Sequence, residues 1–208
     1  MSAAIRRSAA ARLSSRRGAV FVEEAGWELP ATYGDDASER AVIRDRVAIA
    51  DVTARAKVDV RGNVPEPLPL PDDAVAARIS RGWTLVFGPP DAEAELIAAI
   101  ETATGPGAMV TDATHLYAGF ALLGPDVPRV LERITSWDPS SLATGEATAA
   151  PIVDVPAVIV RRDLPTSVVE TYVATEHARY AWESLSGVVG ALGGQPVGWQ
   201  ALRAEGWR

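Results

Sequence analysis

One short pattern occurs twice in this sequence and constrains its fold more than any other feature. Residues 51–62 read D-V-T-A-R-A-K-V-D-V-R-G, and residues 112–124 read D-A-T-H-L-Y-A-G-F-A-L-L-G. In an Asp-x-Thr turn, side-chain oxygens accept hydrogen bonds from nearby backbone N–H groups. The apolar residues that alternate after each turn, up to a closing glycine, are typical of a half-buried strand. The pattern therefore predicts two related strands, each entered through an Asp-x-Thr turn.

The segments that follow the two copies also correspond. Each copy is followed by a hairpin-like segment, a short strand at 83–87 or 169–173, and a helical pattern at 91–101 or 176–189. A further helical pattern at 126–135 stands in the second copy where the first has a proline-rich connector, which excludes a helix. Two copies are too few for a solenoid. The sequence therefore predicts an α/β (α+β) fold of duplicated β-α-β-β-α units related by a pseudo-two-fold axis.

The length suits one domain made of two halves. A chain of 208 residues with 48% hydrophobic residues can bury a substantial core. We expect residues 1–17 to form a basic N-terminal tail and residues 18–208 to form the domain. Its halves are expected at about 18–104 and 105–208, joined at a Gly-Pro-Gly sequence.

Composition excludes several classes of function. The chain has no apolar stretch long enough to span a bilayer, so no membrane association is expected. The absence of cysteine excludes disulfides, thiol catalysis and cysteine-ligated metals, and it fits the reducing cytoplasm. The formal charge of −7 makes nucleic acid an unfavourable partner.

The N-terminal residues differ in charge from the rest of the chain. The first 22 residues contain five arginines and no acidic residue. This pattern favours a partly disordered tail with a helical tendency, and its functional alternatives are a transit peptide or a segment that docks on an acidic partner. The candidate partner-binding residues in this segment are Arg6, Arg7, Arg12, Arg16 and Arg17.

Two other segments have loop-like sequences. Residues 25–34 carry Trp27 and Tyr33 on either side of a proline, which suggests an ordered loop whose rings cover the edge of a pocket. Residues 137–150 are polar and show no strand or helix periodicity.

Several segments resemble one protein family in their order and spacing. The residues that carry the resemblance are A-G-W-E-L-P-A-T-Y-G (25–34), A-D-V-T (50–53), the second Asp-x-Thr element (111–125), E-T-Y-V-A (170–174), Y-A-W-E-S-L (180–185) and P-V-G (196–198). They are similar to the aminomethyltransferase (glycine-cleavage T-protein) family. The resemblance covers about 18–208 in patches and corresponds to the folate-binding domain, so the C-terminal barrel domain of that family is expected to be absent. The length and the compressed first half are most similar to the gamma subunit of heterotetrameric sarcosine oxidase.

The resemblance implies a place for a catalytic carboxylate. In this family a carboxylate of an Asp-Asp pair near a strand start lies by the reacting nitrogen of the folate, and Asp72 and Asp73 occupy the similar place here. A carboxylate there can orient an amine or accept a proton if its surroundings tune its pKa. The alternative is a solvated turn at the start of a strand, and paired turn aspartates are common.

The second site feature of the family is changed in this chain. The family carries a G-Y-T-G-E hairpin whose glutamate binds the pterin, but the matching segment 161–167 has no glycine pair and no glutamate before Glu170. The resemblance therefore implies loss of the pterin clamp, for which only Glu170 or Asp163 stand as substitutes. Tyr117 or Tyr33 would supply the aromatic wall of a pterin pocket.

The remaining candidates point to packing or to an interface. His115 and His177 are far apart in sequence and lack carboxylates at metal-ligand spacing, so no metal site is predicted. Trp199 and Trp207 near the C-terminus bury either in their own domain or against a partner protein.

Three functions are compatible with these residues. The favoured one is a non-catalytic, gamma-type subunit of a heteromeric, flavin-dependent sarcosine oxidase-like or one-carbon enzyme, with the flavin on larger partner subunits. The first alternative is a tetrahydrofolate-dependent protein that transfers a one-carbon unit from an aminomethyl donor. The second alternative is an interaction module with no ligand and a filled centre. Loss of the clamp, the compressed first half, the basic tail and the C-terminal tryptophans favour the subunit.

Overall fold

The structure is a computed structural model that describes residues 5–162, 164 and 166–207. The strands are β1 (Arg6–Arg7), β2 (Val20–Glu24), β3 (Trp27–Thr32), β4 (Ala48–Asp51), β5 (Arg55–Gly62), β6 (Val75–Ser80), β7 (Trp83–Pro90), β8 (Ala108–Asp112), β9 (Tyr117–Leu123), β10 (Ala147–Ile152), β11 (Val155–Arg162), β12 (Val168–Ala174) and β13 (Gln195–Pro196). The α-helices are α1 (Ala11–Arg16), α2 (Asp36–Asp45), α3 (Glu93–Thr104), α4 (Val127–Ile134), α5 (Ala178–Ala191) and α6 (Trp199–Ala204). Asp163, one of the two substitutes for the pterin clamp, lies outside the described residues.

The two halves build two sheets with matching strand orders. The first sheet has the order β6-β7-β5-β8, and the second has the order β10-β11-β12-β9-β4-β13. In both sheets the hairpin of one half lies beside the strand that follows its Asp-x-Thr turn, as β6-β7-β5 and as β11-β12-β9. The next position is filled in each case by a strand from the other half, β8 or β4. This arrangement confirms the predicted duplication of α/β units.

The Asp-x-Thr turns are the points where the chain crosses from one sheet to the other. β4 lies in the second sheet and leads into β5 of the first, whereas β8 lies in the first sheet and leads into β9 of the second. Asp51 Oδ1 accepts a hydrogen bond from the N–H of Thr53 at 3.0 Å, and Asp112 Oδ1 accepts one from the N–H of Thr114 at 2.8 Å. The predicted turns are therefore confirmed, and each also exchanges a strand between the halves.

Helices cover the outer faces of both sheets. α3 packs on the first sheet through Leu96 and Ile100, which contact Val58 and Val86. The second sheet is covered by α4 and α5, and Trp182 of α5 lies against the ring of Phe120 at a centroid distance of 5.4 Å. The helical patterns of the sequence thus correspond to the apolar faces that each helix buries.

The inner faces of the two sheets meet at a small aromatic contact. Phe87 of β7 and Tyr172 of β12 stack with their ring centroids 4.1 Å apart, and both side chains are fully buried. Leu85, Val158 and Val160 complete this cluster between the sheets. The contact fixes the distance between the sheets and defines one wall of the space between them.

Three segments differ from the sequence-based expectation. Residues 25–34 are not a loop: β2 and β3 form a hairpin whose turn, Ala25 and Gly26, has positive φ angles of 50° and 72°. Part of the expected loop at 137–150 is strand β10, which pairs with β11. Residues 6–16 also pack on the domain, since β1 pairs with β3 and Ala10 is fully buried. Each of these short elements is stabilised by tertiary pairing that local periodicity does not reveal.

None of the described helices is long and apolar enough to cross a lipid bilayer.

Candidate functional site

A cavity of about 320 Å³ lies between the two sheets, next to the aromatic contact. Its aromatic wall consists of Trp83, Tyr117 and Tyr172, and small or aliphatic side chains form the rest. The other lining residues are Ile79, Leu85, Ala149, Pro156, Ala157, Val158 and Ala174. Within the described chain no carboxylate lines this cavity. Its volume is near the lower limit for sites that hold drug-sized ligands.

Behind Tyr172 lies a buried cluster of charged residues. The hydroxyl of Tyr172 donates a 2.6 Å hydrogen bond to Oε2 of Glu170. On its other oxygen, Glu170 lies 3.4 Å from Nε of Arg55 and 3.6 Å from Nε of Arg162. The Glu170 side chain has no exposed surface, and a buried carboxylate is stable only with such partners. Burial and then the Glu170 charge raise the pKa of Tyr172 well above its ordinary value, so its hydroxyl keeps the proton that it donates.

The same cluster includes Asp73, at the turn that precedes β6. The guanidinium of Arg162 donates to the carbonyl oxygen of Asp73 at 2.9 Å and lies 3.9 Å from its carboxylate. Arg55 donates to the same carbonyl oxygen at 3.1 Å. The structure thus brings the catalytic candidate Asp73 and the cofactor-binding candidate Glu170 to the two sides of one arginine. Asp72 and Asp73 are both exposed turn residues, but Asp72 has no ion pair among the described residues.

Lys57 is the only lysine of the sequence, and it is fully buried at the centre of the domain. Its Nζ donates to the carbonyl oxygens of Thr53 at 2.6 Å, Arg55 at 2.9 Å and Thr114 at 3.3 Å. Thr53 and Thr114 belong to the two Asp-x-Thr turns, so one ammonium group binds both crossings. Burial lowers the pKa of Lys57 to about 7, although the neighbouring charge of Asp51 acts in the opposite direction.

Lys57 was not among the sequence-based candidates, although the sequence around it could have identified it. It occupies one position of an alternating apolar strand pattern, and every other cation of that pattern is an arginine. A lysine ammonium carries three donors, so a buried one needs acceptors such as backbone carbonyl oxygens.

Two other candidates from the sequence lie away from the cavity. The Tyr33 hydroxyl donates to Oγ of Ser14 at 2.8 Å, and the ring packs against the second sheet's outer core instead of lining the cavity. His115 stacks on Trp27 with ring centroids 5.4 Å apart. Among the described residues no group of three or more His, Asp or Glu side chains is placed to hold a metal ion.

The arginines of the N-terminal segment divide into two groups. Arg6 lies 3.0 Å from Glu93, and Arg7 lies 2.6 Å from Glu28, so both are paired within the chain. The other three, Arg12, Arg16 and Arg17, are exposed and have no carboxylate partner within the described chain. Arg12 and Arg16 line a small hollow of about 240 Å³ together with Arg179 of α5.

Trp199 and Trp207 are buried in the chain's own core, which corrects the interpretation that they face a partner. Their exposed fractions are 3% and 4%. The indole N–H of Trp199 donates to the carbonyl oxygen of Asp51 at 2.9 Å. The ring of Trp207 lies 5.8 Å from the guanidinium of Arg55. Trp199 thus has a hydrogen-bond acceptor within the domain, and Trp207 has a cation against its ring.

The two sheets that exchange strands, with a cavity and a buried arginine–glutamate cluster between them, define a duplicated α/β domain. The aminomethyltransferase of Streptomyces coelicolor is 26% identical over 223 residues, which cover 93% of this chain and 60% of that protein. The aminomethyltransferase of Desulfitobacterium hafniense is 24% identical over 212 residues, which cover 88% of this chain and 58% of that protein. The chain thus spans only about 60% of the length of the curated relatives that it matches.

Two solved structures have the same fold. The glycine cleavage system aminomethyltransferase T from Bartonella henselae superimposes with a TM-score of 0.79 at 18% identity, over 97% of this chain and 62% of that one. A chain of heterotetrameric sarcosine oxidase from a Corynebacterium species superimposes with a TM-score of 0.65 at 15% identity, over 90% of this chain and 96% of that one. No family model matches the sequence. Together these relatives confirm the resemblance to the aminomethyltransferase and sarcosine oxidase folate-binding-domain family.

Proposed function

We propose that this protein is a non-catalytic, gamma-type subunit of a heteromeric, flavin-dependent amine oxidase or related one-carbon enzyme of the cytoplasm. The flavin and the substrate amine would be bound by larger partner subunits. The chain itself would brace the assembly through its folate-binding-domain fold.

The observation that carries this proposal is the state of Glu170. Both of its oxygens face partners from the chain itself, namely the Tyr172 hydroxyl and the guanidinium groups of Arg55 and Arg162. The Oε1 atom makes ion pairs without a hydrogen bond, but the side chain has no exposed surface, so the carboxylate is shielded from a ligand in the cavity. Aminomethyl transfer to a folate requires a carboxylate that can reach the reacting amine, and the cavity between the sheets has none among the described residues.

The comparison with sarcosine oxidase supports the same role. One chain of a heterotetrameric enzyme superimposes on this fold with a TM-score of 0.65. An oxidase subunit therefore accounts for the fold as well as for the ion-paired Glu170.

One observation favours the alternative, a tetrahydrofolate-dependent protein that transfers a one-carbon unit. Arg162 lies between Asp73 and Glu170, so two carboxylates are held near one cation and near the cavity wall. The side chain of Asp73 is 37% exposed, so solvent or a ligand can reach it.

A paired experiment tests the proposed function. The tagged chain is produced in its own host, and the purified material is analysed for stoichiometric partner chains and for the visible absorption of flavin. The same chain, purified alone, is titrated with 5-formyltetrahydrofolate by calorimetry, with Asp73→Asn and Asp72→Asn as matched variants.

The expected result is a yellow complex with larger chains and no saturable folate binding by the isolated protein. A colourless chain without partners that binds the folate would overturn the proposal. If binding is then lost in Asp73→Asn and kept in Asp72→Asn, the alternative function is supported.

A further inference from the structure

The pseudo-two-fold relationship of the crossings extends to the outer edges of β4 and β8. The N–H of Val52 donates to the carbonyl oxygen of Gly119 at 2.8 Å, and the N–H of Ala113 donates to that of Lys57 at 2.8 Å. Val52 and Ala113 are the middle residues of the two Asp-x-Thr turns. Each is thus bonded to the strand of the other half in the same way, so β4 and β8 are equivalent strands in the two sheets.

These two bonds determine which N–H and C=O groups of β4 and β8 point to the outer edge of each sheet. In an antiparallel pair, alternate residues direct their N–H and C=O groups to the partner strand. Because Ala113 bonds to β5, the N–H and C=O groups of Val110 and Asp112 point away from β5. By the same reasoning the backbone of Ile49 and Asp51 points away from β9.

The outer edge of β4 is occupied by the C-terminal part of the chain. The N–H of Val197, which follows β13, donates to the carbonyl oxygen of Ile49 at 2.9 Å. The indole N–H of Trp199 donates to the carbonyl oxygen of Asp51 at 2.9 Å. β13 runs parallel to β4. Both outward carbonyls of β4 therefore have donors from one extended segment.

The equivalent edge of β8 has no such segment within the described chain. β8 pairs with β5 and with no other described strand, and its outward carbonyl oxygens, on Val110 and Asp112, have no donor among the described residues. Met109 on this strand is 64% exposed, and Asp112 is exposed, whereas its counterpart Asp51 is only 2% exposed. An open edge of this kind is a ready acceptor for an added strand.

We infer that the outer edge of β8 binds an extended segment of a partner chain, which runs parallel to β8 and donates backbone N–H groups to the carbonyls of Val110 and Asp112. The segment would occupy the position that β13 occupies beside β4. In the proposed function the partner is the larger flavoprotein subunit, so the inference rests on that function and adds the surface that binds the subunit.

The direction of the added strand argues against pairing with β8 of a second copy of this chain. Two identical edges related by a two-fold axis pair in antiparallel fashion, because the axis reverses the strand direction. The edge of β4 binds its strand in parallel orientation. A parallel strand on β8 must therefore come from a different segment than β8 itself.

The test uses two substitutions at Val110 and a photo-crosslinker at Met109. The outward N–H of Val110 would also donate to the added strand, and Val110→Pro removes it and places a ring on the open edge, while the bonds from β8 to β5 stay intact. Val110→Ala keeps the N–H and controls for lost packing. The crosslinking residue benzoylphenylalanine replaces Met109 or, as a control of similar exposure, Val20, which is 59% exposed on another sheet. Each tagged chain is irradiated and purified from its own host.

We expect the chain with the crosslinker at position 109 to form an adduct with the flavin-bearing partner. The chain with the crosslinker at position 20 should form none. Val110→Pro should lower the amount of co-purified flavoprotein about tenfold, which corresponds to the loss of one or two backbone hydrogen bonds. Val110→Ala should co-purify with about as much flavoprotein as the unsubstituted chain does. Thermal unfolding of each isolated variant shows whether it folds, and a variant that does not fold is replaced by Thr111→Lys, which puts a charge beside the same edge.

The outcomes separate the inference from the proposed function. If Val110→Pro retains the flavoprotein in full, β8 is not the binding edge, although the subunit function stands. If no flavoprotein co-purifies with the unsubstituted chain either, the proposed function fails and the inference fails with it. An adduct of twice the mass of this chain at Met109 would identify a second copy and overturn the inference.

Discussion

Tyr172 and Glu170 lie two residues apart on β12, and the hydroxyl of Tyr172 donates a 2.6 Å hydrogen bond to the carboxylate of Glu170. Both side chains are fully buried, one against the other sheet and one against Arg55 and Arg162. The ring and the hydroxyl of Tyr172 therefore have different roles. The ring forms a wall of the cavity between the sheets, and the hydroxyl holds the carboxylate away from it.

Replacement of Tyr172 by phenylalanine should destabilise the protein by about 1–3 kcal/mol. The change removes the donor and leaves one oxygen of a buried carboxylate without a partner, and that desolvation cost is larger than the net value of the bond itself. Urea unfolding measures the effect. Tyr117→Phe is the matched control, because the Tyr117 hydroxyl makes no hydrogen bond among the described residues, and it should change stability by less than about 0.5 kcal/mol. Equal effects of the two substitutions would contradict this account of Glu170.

Substitution of Gly119 tests the tight contact behind the same tyrosine. A Cβ atom on Gly119 would lie 2.7 Å from the ring of Tyr172 and 3.2 Å from the carbonyl oxygen of Val52. Gly119→Ala should therefore cost about 1–3 kcal/mol, because the packed ring must move from its stack on Phe87. Gly187→Ala, in helix α5 with open space around the added methyl group, should instead stabilise the protein by about 0.5–1 kcal/mol. Thermal denaturation of the two variants compares them directly, and a neutral Gly119→Ala would show that Tyr172 is free to shift.

The buried lysine should make stability rise with pH above neutrality. The folded pKa of Lys57 is about 7, below its ordinary 10.5, because burial disfavours the ammonium. Between these two values the unfolded chain holds a proton that the folded chain has released. The free energy of unfolding should therefore increase across this window by up to about 1.4 kcal/mol per pH unit. Below pH 7 both states are protonated and this contribution no longer changes.

Two measurements check this prediction. Lysine labelled with ¹⁵N gives a single Nζ signal, since the chain has one lysine, and its titration reports the folded pKa. Urea unfolding at pH 7 and pH 9 should show the predicted increase in the unsubstituted protein and a smaller one in Lys57→Met. A folded pKa near its ordinary value would mean that the three carbonyl acceptors outweigh the loss of water.

Much of this fold could be predicted from local patterns. The alternation in the two repeated segments, the capping aspartate before α2 and the apolar face of α4 each identify an element, because each depends on neighbours in sequence. The exchange of β4 and β8 between the sheets could not be predicted in this way. It depends on pairing between residues such as Asp51 and Phe120, which are far apart in the chain.

The site was less accessible to sequence reasoning, for a similar reason. Asp73 and Glu170 were identified separately, through resemblance to a family, but their common contact with Arg162 is a long-range relationship. For Trp199 and Trp207 the sequence left two environments open, their own domain or a partner protein, because an exposed tryptophan is costly in either case. In the fold the neighbouring segment closes over β4, and the two rings bury in the domain.

The segment that carries these tryptophans is attached through Glu39, and this attachment gives the last prediction. Glu39, on α2, is only 1% exposed. Its Oε2 accepts the N–H of Gly198 at 2.7 Å, and its Oε1 accepts the N–H of Tyr33 and the hydroxyl of Thr32, both at 2.6 Å. Glu39→Ala should cost about 3 kcal/mol or more, because it leaves the buried N–H of Gly198 and the half-buried N–H of Tyr33 without an acceptor.

The loss of stability in Glu39→Ala should be largest at the C-terminal segment, because Gly198 begins the turn into α6 that places Trp199 over β4. Limited proteolysis should therefore cut Glu39→Ala after residue 193 well before the unsubstituted chain is cut. The adjacent Arg40→Ala is the matched control: its exposed ion pair with Asp36 spans 3.7 Å, and such pairs contribute less than about 1 kcal/mol. Equal protease resistance of the two variants would show that β13 and α6 are held to β4 by the Ile49 and Asp51 carbonyls without help from Glu39.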